Sequence, residues 1–300
     1  MGKRIEEDYE EQYMGIVKEI MREGTLEHNE RTGKSTRRIP HQEIKVDLSM
    51  GFPILKTKLV AHTLAIQEIM WIMQKQSNNI KDLGNKLWDK WADENGTIGM
   101  AYGSIVKEYK QIDTLIDKIK NDPSDRGMVI NLWDLANLHK MNLRPCCLMS
   151  IWSVIDGTLH CQLIQRSGDM MLGVAFNTTQ YAALVYMIAQ ATGTKPGLLT
   201  HTITDAHVYD DQFENTEVQI KRFDMLQNVK AGNNIIIDNQ VDAELKLEGL
   251  LLPDLKEIVA SKPILWVNPE INDFYEIILK DDVKLMQYKH MPKLFFEVAV

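Results

Sequence analysis

Long apolar helical segments, together with strand-like segments that lack strict alternation, restrict the fold of this chain more than any other feature. Residues 60–75 and 177–192 are mostly apolar and helical in pattern, and Gly193 and Gly197 follow the second segment as stop signals. Strands are predicted at 127–133, 148–155 and 159–165. This mix predicts an α/β (or α+β) fold, with one domain built around a mixed sheet.

Periodicity and turn residues divide the rest of the chain. Residues 5–23 form an apolar stripe among acids and lysines, which predicts an amphipathic helix ending at Gly24. Residues 42–48 alternate as a strand does, whereas loops are expected at 25–28 and 32–36. Further predictions are a strand at 235–237, a helical pattern over 241–260 that contains Pro253, and strands at 263–267 and 294–299.

The composition is that of an ordinary globular protein. Of its 300 residues 44% are apolar and 25% charged, and a net charge of −8 argues against a nonspecific DNA binder. A local arginine cluster could still bind the phosphate of a mononucleotide. Three cysteines, with no CxxC pair and no zinc spacing, do not indicate a metal site. Without an apolar signal core near the N-terminus or an apolar run approaching ~20 residues, we expect no membrane association and a cytoplasmic location.

A cysteine that follows a proline, in Pro145-Cys146-Cys147, is a candidate nucleophile. Thiolate is the reactive form of cysteine, and a guanidinium such as that of Arg166 would supply positive charge to favour it. Taken alone, a cysteine in an apolar strand is more often a small buried hydrophobe, which is what we expect of Cys147 and Cys161. Neighbours in a regular strand point to opposite faces, so only one of the two adjacent cysteines should face a pocket.

Glu68 lies within the apolar helix predicted at 60–75. Burial there would raise the pKa of this carboxyl group and suit it to proton transfer near neutral pH. The same spacing allows an exposed glutamate on the polar stripe of the helix, so the residues alone leave both interpretations open.

Several short motifs together carry a resemblance to a known family. They are Glu30-Arg31-Thr32-Gly33, Gly51-Phe52-Pro53, the run 88–96, Ala101-Tyr102-Gly103, Asp125-Arg126, Pro145-Cys146, Gln165-Arg166-Ser167 with Asp169, Leu172-Gly173, Phe176-Asn177 and the run 205–209. In this order and spacing the chain resembles the folate-dependent thymidylate synthases that use a cysteine nucleophile. The resemblance implies one catalytic domain over 1–300 with an insertion near 223–260. It also implies helices flanking a mixed sheet that lies at the interface of a homodimer.

The resemblance implies a reaction of deoxyuridylate (dUMP) with 5,10-methylenetetrahydrofolate. Cys146 would add to C6 of the uracil beside Arg166, Glu68 and Tyr102 would move protons, and Asp205 would orient the surrounding network. The phosphate positions of the family correspond to Arg31, Arg166 and Ser167, with Arg126 reaching across from the second subunit. Base and sugar recognition would involve Gln165, Asn177, His207 and Tyr209, since a neutral amide matches both O4 and N3–H of uracil.

The resemblance also implies that the folate lies over the base. The corresponding contact residues are Lys58, Trp88, Trp91, Asp169, Leu172, Gly173, Phe176 and Val300. Flat rings stack on flat rings, and the carboxylate of Asp169 could pair with N–H donors of the pterin. Residues 298–300 resemble a tail that closes over the folate and excludes water.

Two positions depart from the family pattern. Gly127 stands where many relatives have a second arginine, so one phosphate contact is missing unless Lys34, Arg37 or Arg38 replaces it. Cys147 stands where many relatives have histidine.

These departures keep a second activity open. It is a pyrimidine-nucleotide hydroxymethylase of the same fold, in which water and not hydride captures the methylene group. A third interpretation is an inactive relative that binds a nucleotide or RNA. The intact set of Cys146, Glu68, Arg166 and Asn177 argues against the third.

Overall fold

A mixed sheet with helices packed around it forms the framework of the computed structural model, which describes residues 8–30, 32–233, 249 and 252–298. Its strands are β1 (Thr25–Asn29), β2 (Lys34–Asp47), β3 (Val129–Asn131), β4 (Cys147–Ile155), β5 (Thr158–Gln165), β6 (Gly168–Asp169) and β7 (Lys195–Tyr209). The order is β1-β2-β7-β5-β4-β3, and β6 pairs with β7. Because β7 is parallel to β5 and β6 but antiparallel to β2, the sheet is mixed, which confirms the predicted fold class.

Helices and a small hairpin complete the described part of the chain. The helices are α1 (Tyr9–Glu23), α2 (His62–Met73), α3 (Ile80–Leu83), α4 (Gly103–Glu108), α5 (Gln111–Asn121), α6 (Ala175–Thr192), α7 (Phe213–Lys230), α8 (Leu252–Ala260) and α9 (Leu279–Asp282). The strands β8 (Ile264–Val267) and β9 (Val283–Met286) pair antiparallel, apart from the main sheet. In the described residues no helix is both long and apolar enough to span a membrane.

The central helix α6 is buried on nearly every side, as its apolar sequence predicts. It packs against α2, β5 and β7 and ends at Gly193, whose φ of 69° is a left-handed conformation that glycine adopts at low cost. Complete burial of Leu184 or Ile188 contributes about 1.5–3 kcal/mol each. This helix therefore provides a rigid support for the polar residues on its first turns.

Helix α1 ends before Gly24 as the sequence predicts, but it begins at Tyr9, four residues after the predicted start. Asp8 and Glu11 form a capping box at its start. At its end, a Cβ on Gly24 would lie 2.4 Å from the carbonyl oxygen of Ile20, so no larger residue fits there. One carboxylate oxygen of the buried Glu10 accepts hydrogen bonds from the N–H groups of Lys56 and Thr57, at 2.9 and 2.8 Å. These bonds fix α1 to the segment that leads into α2.

Three local predictions are wrong. Residues 25–28 are part of β1 and not a loop, because pairing with β2 orders a strand whose side chains are all exposed. The loop predicted at 32–36 already enters β2 at Lys34. The strand predicted at 294–299 is absent over 294–298, where the side chains of Asn215 and Gln212 take the carbonyls of Phe295 and Glu297. The strand predicted at 235–237 and most of the block 241–251 lie outside the described residues.

Candidate active site

A cavity of about 460 Å³ lies between α2, α6 and the C-terminal tail, a name used here for residues 291–298. This volume suits a small-molecule ligand. Ten of the predicted site residues line it, namely Lys58, Glu68, Trp88, Trp91, Tyr102, Cys146, Leu172, Gly173, Phe176 and Asn177. Eight others stand outside the lining, namely Arg126, Gln165, Arg166, Ser167, Asp169, Asp205, His207 and Tyr209. Arg31 and Val300 are outside the described residues.

Cys146 lies just before β4 on a loop that Arg166 holds in place. The backbone N–H of Arg166 donates to the Cys146 carbonyl at 2.9 Å. Its guanidinium donates to the carbonyls of Pro145 and Arg144, at 2.9 and 3.1 Å. The same guanidinium lies over the ring of Trp133 at 5.4 Å. Arg166 therefore positions the candidate nucleophile and places a positive charge next to it.

The thiol of Cys147 contacts a network of buried polar side chains. Its Sγ lies 3.6 Å from Oε1 of Gln165, and that oxygen lies 2.7 Å from Nε2 of His201. Burial raises the pKa of the Cys147 thiol well above its usual range and lowers that of His201 to about 3, so both groups are neutral at pH 7. Gln165 is thus engaged with Cys147, His201 and the Ser167 carbonyl.

The strand that contains the two cysteines is irregular at this point. The register of β4 against β5 shifts between Cys147 and Met149, and both Cys146 and Cys147 contribute to the cavity lining. The alternation expected of a regular strand therefore does not apply here. Cys161 is buried within β5, and burial raises its thiol pKa, as in a core residue.

Glu68 is 9% exposed and projects from α2 into the cavity, so of the two sequence interpretations the buried one is confirmed. Desolvation raises the pKa of its carboxyl group to about 7, although the neighbouring side chains of Gln180 and Trp88 oppose the shift. A carboxyl group with such a pKa is partly protonated near neutral pH. It can therefore act as either proton donor or acceptor.

Tyr102 reaches the same space through an unusual backbone conformation. Its φ of 51° is rare for a residue with a side chain and costs about 1–3 kcal/mol, held here by the surrounding packing. The ring contacts that of Trp88, with centroids 5.0 Å apart. Burial is the main cause that raises the pKa of its hydroxyl group, and the acidic side chains of Cys146, Cys147 and Glu68 nearby raise it further. The hydroxyl therefore stays protonated and can serve as a hydrogen-bond donor.

Asn177 and Gln180 lie one turn apart on the cavity side of α6. The amide nitrogen of Asn177 donates to Oε1 of Gln180 at 2.9 Å, and Gln180 also stabilises the charged form of Glu68. Gln180 therefore holds the amide expected to recognise a base, and its own buried Nε2 has no hydrogen-bond partner among the described residues. Sequence analysis missed Gln180, although its spacing from Asn177 on a predicted helix was the available signal.

The end of β7 presents Asp205, His207 and Tyr209 on one face, because alternate residues of a strand share a face. The rings of His207 and Tyr209 meet edge-to-face at 5.3 Å. Asp205 binds Arg38 and lies 3.5 Å from Nδ1 of His207. Asp205 therefore lies beside His207, and neither residue is part of the cavity lining.

The cations proposed to replace the missing arginine at Gly127 have other partners. Lys34 pairs with Asp211, and Arg37 donates to the Met21 carbonyl. Arg38 pairs with Glu27 and Asp205. Arg126 itself is exposed on the loop between α5 and β3, as a residue that reaches another molecule must be.

Lys58 occupies a buried position beneath the C-terminal tail. Its ammonium group donates to the Met171 carbonyl and lies 4.5 Å from the centre of the Phe296 ring. Burial lowers the pKa of this amine to about 7, against the attraction of Asp169 and Glu10. Lys58 therefore joins the tail to the turn that carries Met171.

The C-terminal tail itself forms part of the cavity wall. Lys293, Leu294, Phe296 and Val298 line it. Side chains at the start of and along α7 hold the tail by its carbonyls. Arg222 donates to Pro292 at 2.7 Å and Asn215 to Phe295 at 2.7 Å, while Gln212 lies 3.4 Å from the carbonyl of Glu297. In the part of the chain that the structure describes, no cluster of three or more His, Cys, Asp or Glu residues could hold a metal ion.

Comparisons with known proteins agree on one family. A family model described as thymidylate synthase matches residues 11–243. The chain is 42% identical over 295 residues to a thymidylate synthase of Clostridium beijerinckii, covering 97% of this chain and 99% of that protein. It is 35% identical over 313 residues to thymidylate synthase 1 of Bacillus subtilis strain 168, covering 97% and 99%. A solved structure, the thermostable thymidylate synthase A from Bacillus subtilis, matches with a TM-score of 0.80 and 34% identity, covering 98% of this chain and 100% of that one.

Proposed function

Because the chain belongs to the thymidylate synthase family, we propose that it converts dUMP to thymidylate with 5,10-methylenetetrahydrofolate as co-substrate. It would thus act as a methyltransferase. The observation that carries this proposal is the convergence of Cys146, Glu68, Tyr102 and Asn177 on one cavity with aromatic walls.

Covalent addition answers the main chemical difficulty of the reaction. C5 of uracil is a poor carbon nucleophile, and addition of the Cys146 thiolate to C6 turns it into an enolate carbon. Arg166 fixes the cysteine loop and favours the thiolate, while Asn177 and Gln180 hold the base through its amide edge. Glu68 and Tyr102 would then transfer protons at the ring, the first through its raised pKa and the second through its protonated hydroxyl.

The cavity also fits a folate. Trp88, Trp91 and Phe176 offer ring faces on which flat heterocycles stack, and Asp169 and Lys58 are a carboxylate and an amine close to that wall. When bound, the reduced folate supplies the one-carbon unit and the hydride. The chain's own part is to hold the rings over the base and, through the C-terminal tail, to exclude water.

The remaining assignments are part of the same proposal. Phosphate binding is assigned to Arg31, Arg166 and Ser167, with Arg126 completing the site of the partner in a homodimer that forms across the sheet. Gln165, His207 and Tyr209 would position the base and sugar, and Asp205 would orient His207. The whole chain would act as one domain in the cytoplasm, with an insertion near 223–260.

One incubation tests the proposal. The purified chain is mixed with dUMP and 5,10-methylenetetrahydrofolate, and the products are followed by mass spectrometry together with dihydrofolate absorbance. Thymidylate and dihydrofolate in equal amounts are expected. A hydroxymethyl product with tetrahydrofolate would contradict the synthase and point to the hydroxymethylase. The same incubation with deoxycytidylate is the control for the base.

A further inference from the structure

We propose that Gln212 is a positioning residue that fastens the C-terminal tail to the turn at 170–173 and so couples closure of the cavity to the orientation of Asp169. This inference rests on the proposed function for its kinetic consequences only. Its structural consequence, a joint between two segments of the cavity wall, can be measured without any substrate.

Gln212 is a buried amide whose polar atoms all have partners. It ends the short turn Asp210–Gln212 between β7 and α7 and is only 1% exposed. Burying an amide without partners is costly, and this one has three. Its Oε1 accepts from the Tyr209 N–H at 3.2 Å, and its Nε2 lies 3.2 Å from Oδ2 of Asp169 and 3.4 Å from the carbonyl oxygen of Glu297.

The contact with Asp169 reaches one segment of the cavity wall. The other oxygen of Asp169 accepts from the N–H groups of Met171 and Leu172, at 2.9 and 3.2 Å. It thereby caps the turn that puts Met171, Leu172 and Gly173 on the cavity surface. With its second oxygen held by Gln212, the carboxylate is fixed in rotation as well as in place.

The contact with Glu297 reaches a second segment of the wall. The carbonyl of Glu297 lies between Phe296 and Val298, and both of these residues line the cavity. A single NH₂ group therefore bridges a carboxylate that caps one segment and a main-chain carbonyl of the other. Among neutral side chains of this length, methionine has a similar shape and no N–H group, so Gln212→Met removes the joint with little change in volume.

Asn215, in the first turn of α7, provides a matched control. It donates to the carbonyl of Phe295, so it also holds the tail, and no hydrogen bond joins it to Asp169. Asn215→Ala should therefore loosen the tail alone. Gln212→Met should loosen both the tail and the turn at 170–173.

The first measurement is amide hydrogen exchange by mass spectrometry on the full chain without ligands. Gln212→Met is expected to speed exchange about tenfold in peptides covering 293–298 and also in those covering 170–173. Asn215→Ala should speed the first set only. Unchanged exchange at 293–298 in Gln212→Met would overturn the inference. So would an equal effect of Asn215→Ala at 170–173. Thermal melting confirms that each variant is folded before exchange is compared.

The second measurement is kinetic. In Gln212→Met, the KM for 5,10-methylenetetrahydrofolate should rise about tenfold, whereas the Kd for dUMP should change less than about threefold. A general loss of stability would lower the active fraction without separating these two constants. Equal changes in both would overturn the positioning role. If the unaltered chain shows no synthase activity, the proposed function fails, and the exchange data still decide whether Gln212 joins the two segments.

Discussion

Asp169 lies directly opposite His207 in the parallel pairing of β6 with β7. The two strands approach this closely because residue 168 is a glycine, since a Cβ there would lie 2.7 Å from a methyl carbon of Ile203. His207 in turn opposes the rise that burial causes in the pKa of Asp169. The acid proposed to bind the folate and the imidazole proposed to bind the sugar are therefore adjacent parts of one sheet. Displacement of one should disturb the other.

Cys146 should be the only cysteine that reacts readily with iodoacetamide in the folded chain at pH 7. Cys147 and Cys161 are buried, and burial raises the pKa of both thiols, so their thiolate fractions are negligible. Peptide mass spectrometry should find the label on Cys146, and Cys146→Ser should lower turnover at least about a thousandfold. Cys147→Ala should keep most activity. If the label is found on Cys147, and if Cys147→Ala is the inactive variant, then Cys147 and not Cys146 is the nucleophile.

Glu68→Gln should stabilise the protein, and more so at higher pH. In the folded protein the pKa of Glu68 is about 7, whereas in the unfolded chain it has the usual value of 4.5. Between these two pH values the carboxyl group is protonated when the protein is folded and ionised when it is unfolded. Ionisation therefore reduces the stability of the native protein as the pH rises through this window. The advantage of Glu68→Gln in free energy of unfolding should grow by about 2–3 kcal/mol between pH 5 and pH 8.

Urea unfolding at the two pH values measures this effect. Glu270→Gln, at an exposed glutamate, is the control and should show no such growth. Turnover of Glu68→Gln should fall about a hundredfold or more, because the amide cannot transfer protons. A stability difference that is the same at pH 5 and pH 8 would show that the pKa of Glu68 is not raised in the folded protein.

Asn177→Asp should shift the preference of the enzyme from dUMP towards deoxycytidylate. A carboxylate accepts from the cytosine amine but offers no proton to O4 of uracil, so discrimination should change by roughly ten- to a hundredfold. The measurement is kcat/KM for each nucleotide. Asn177→Ala removes the amide without adding a charge, so it should lower kcat/KM for both nucleotides by similar factors. An unchanged ratio in Asn177→Asp would separate this residue from base recognition.

Arg126→Ala and Cys146→Ser subunits should restore activity when mixed. In a two-fold dimer, one site of each mixed pair would receive both an intact cysteine and the partner's intact arginine, which gives about a quarter of full activity after complete exchange. The exposure of Arg126 is compatible with this role. Subunit exchange is followed with a tag on one variant. If exchange is complete and no activity returns, Arg126 does not act across an interface.

Deletion of Val300 should reduce thymidylate formation strongly and dUMP binding only slightly. The deletion removes an apolar side chain from the sequence and moves the terminal carboxylate, so we expect the tail to close poorly and admit water to the cavity. Calorimetry with dUMP and product analysis by mass spectrometry separate the two effects, and traces of hydroxymethyl product are expected. If the truncated chain forms thymidylate at the full rate, Val300 is not part of the active site.

The sequence predicted the parts of the fold that local patterns determine. The apolar run around Glu68 and the run before Gly193 appear as α2 and α6, and both are buried as expected. β1 was missed because all its side chains are exposed, so only its pairing with β2 specifies it. The strand predicted at 294–299 did not form because the side chains of Gln212 and Asn215 bind carbonyls that a neighbouring strand would otherwise have bound.

Some residues of the candidate site could be predicted from the sequence and others could not. Motif residues such as Cys146 and Asn177 were found from their neighbours in sequence, and the cavity brings them together. Gln180 and Gln212, which hold site residues in position through hydrogen bonds, belong to no recognisable motif. Their partners are set by turns of helix and by the path of the tail, which a single sequence does not reveal.

The tail is recognised through its backbone, and this has a consequence for how related chains can diverge. Arg222, Asn215 and Gln212 bind the carbonyls of Pro292, Phe295 and Glu297, and every residue type offers a carbonyl. Replacing the side chain of Phe295 or Glu297 leaves those three contacts intact, whereas replacing any of the three donors removes one. Variation should therefore accumulate at tail positions 295 and 297, whose side chains are not part of the cavity lining, while the three donor positions stay fixed.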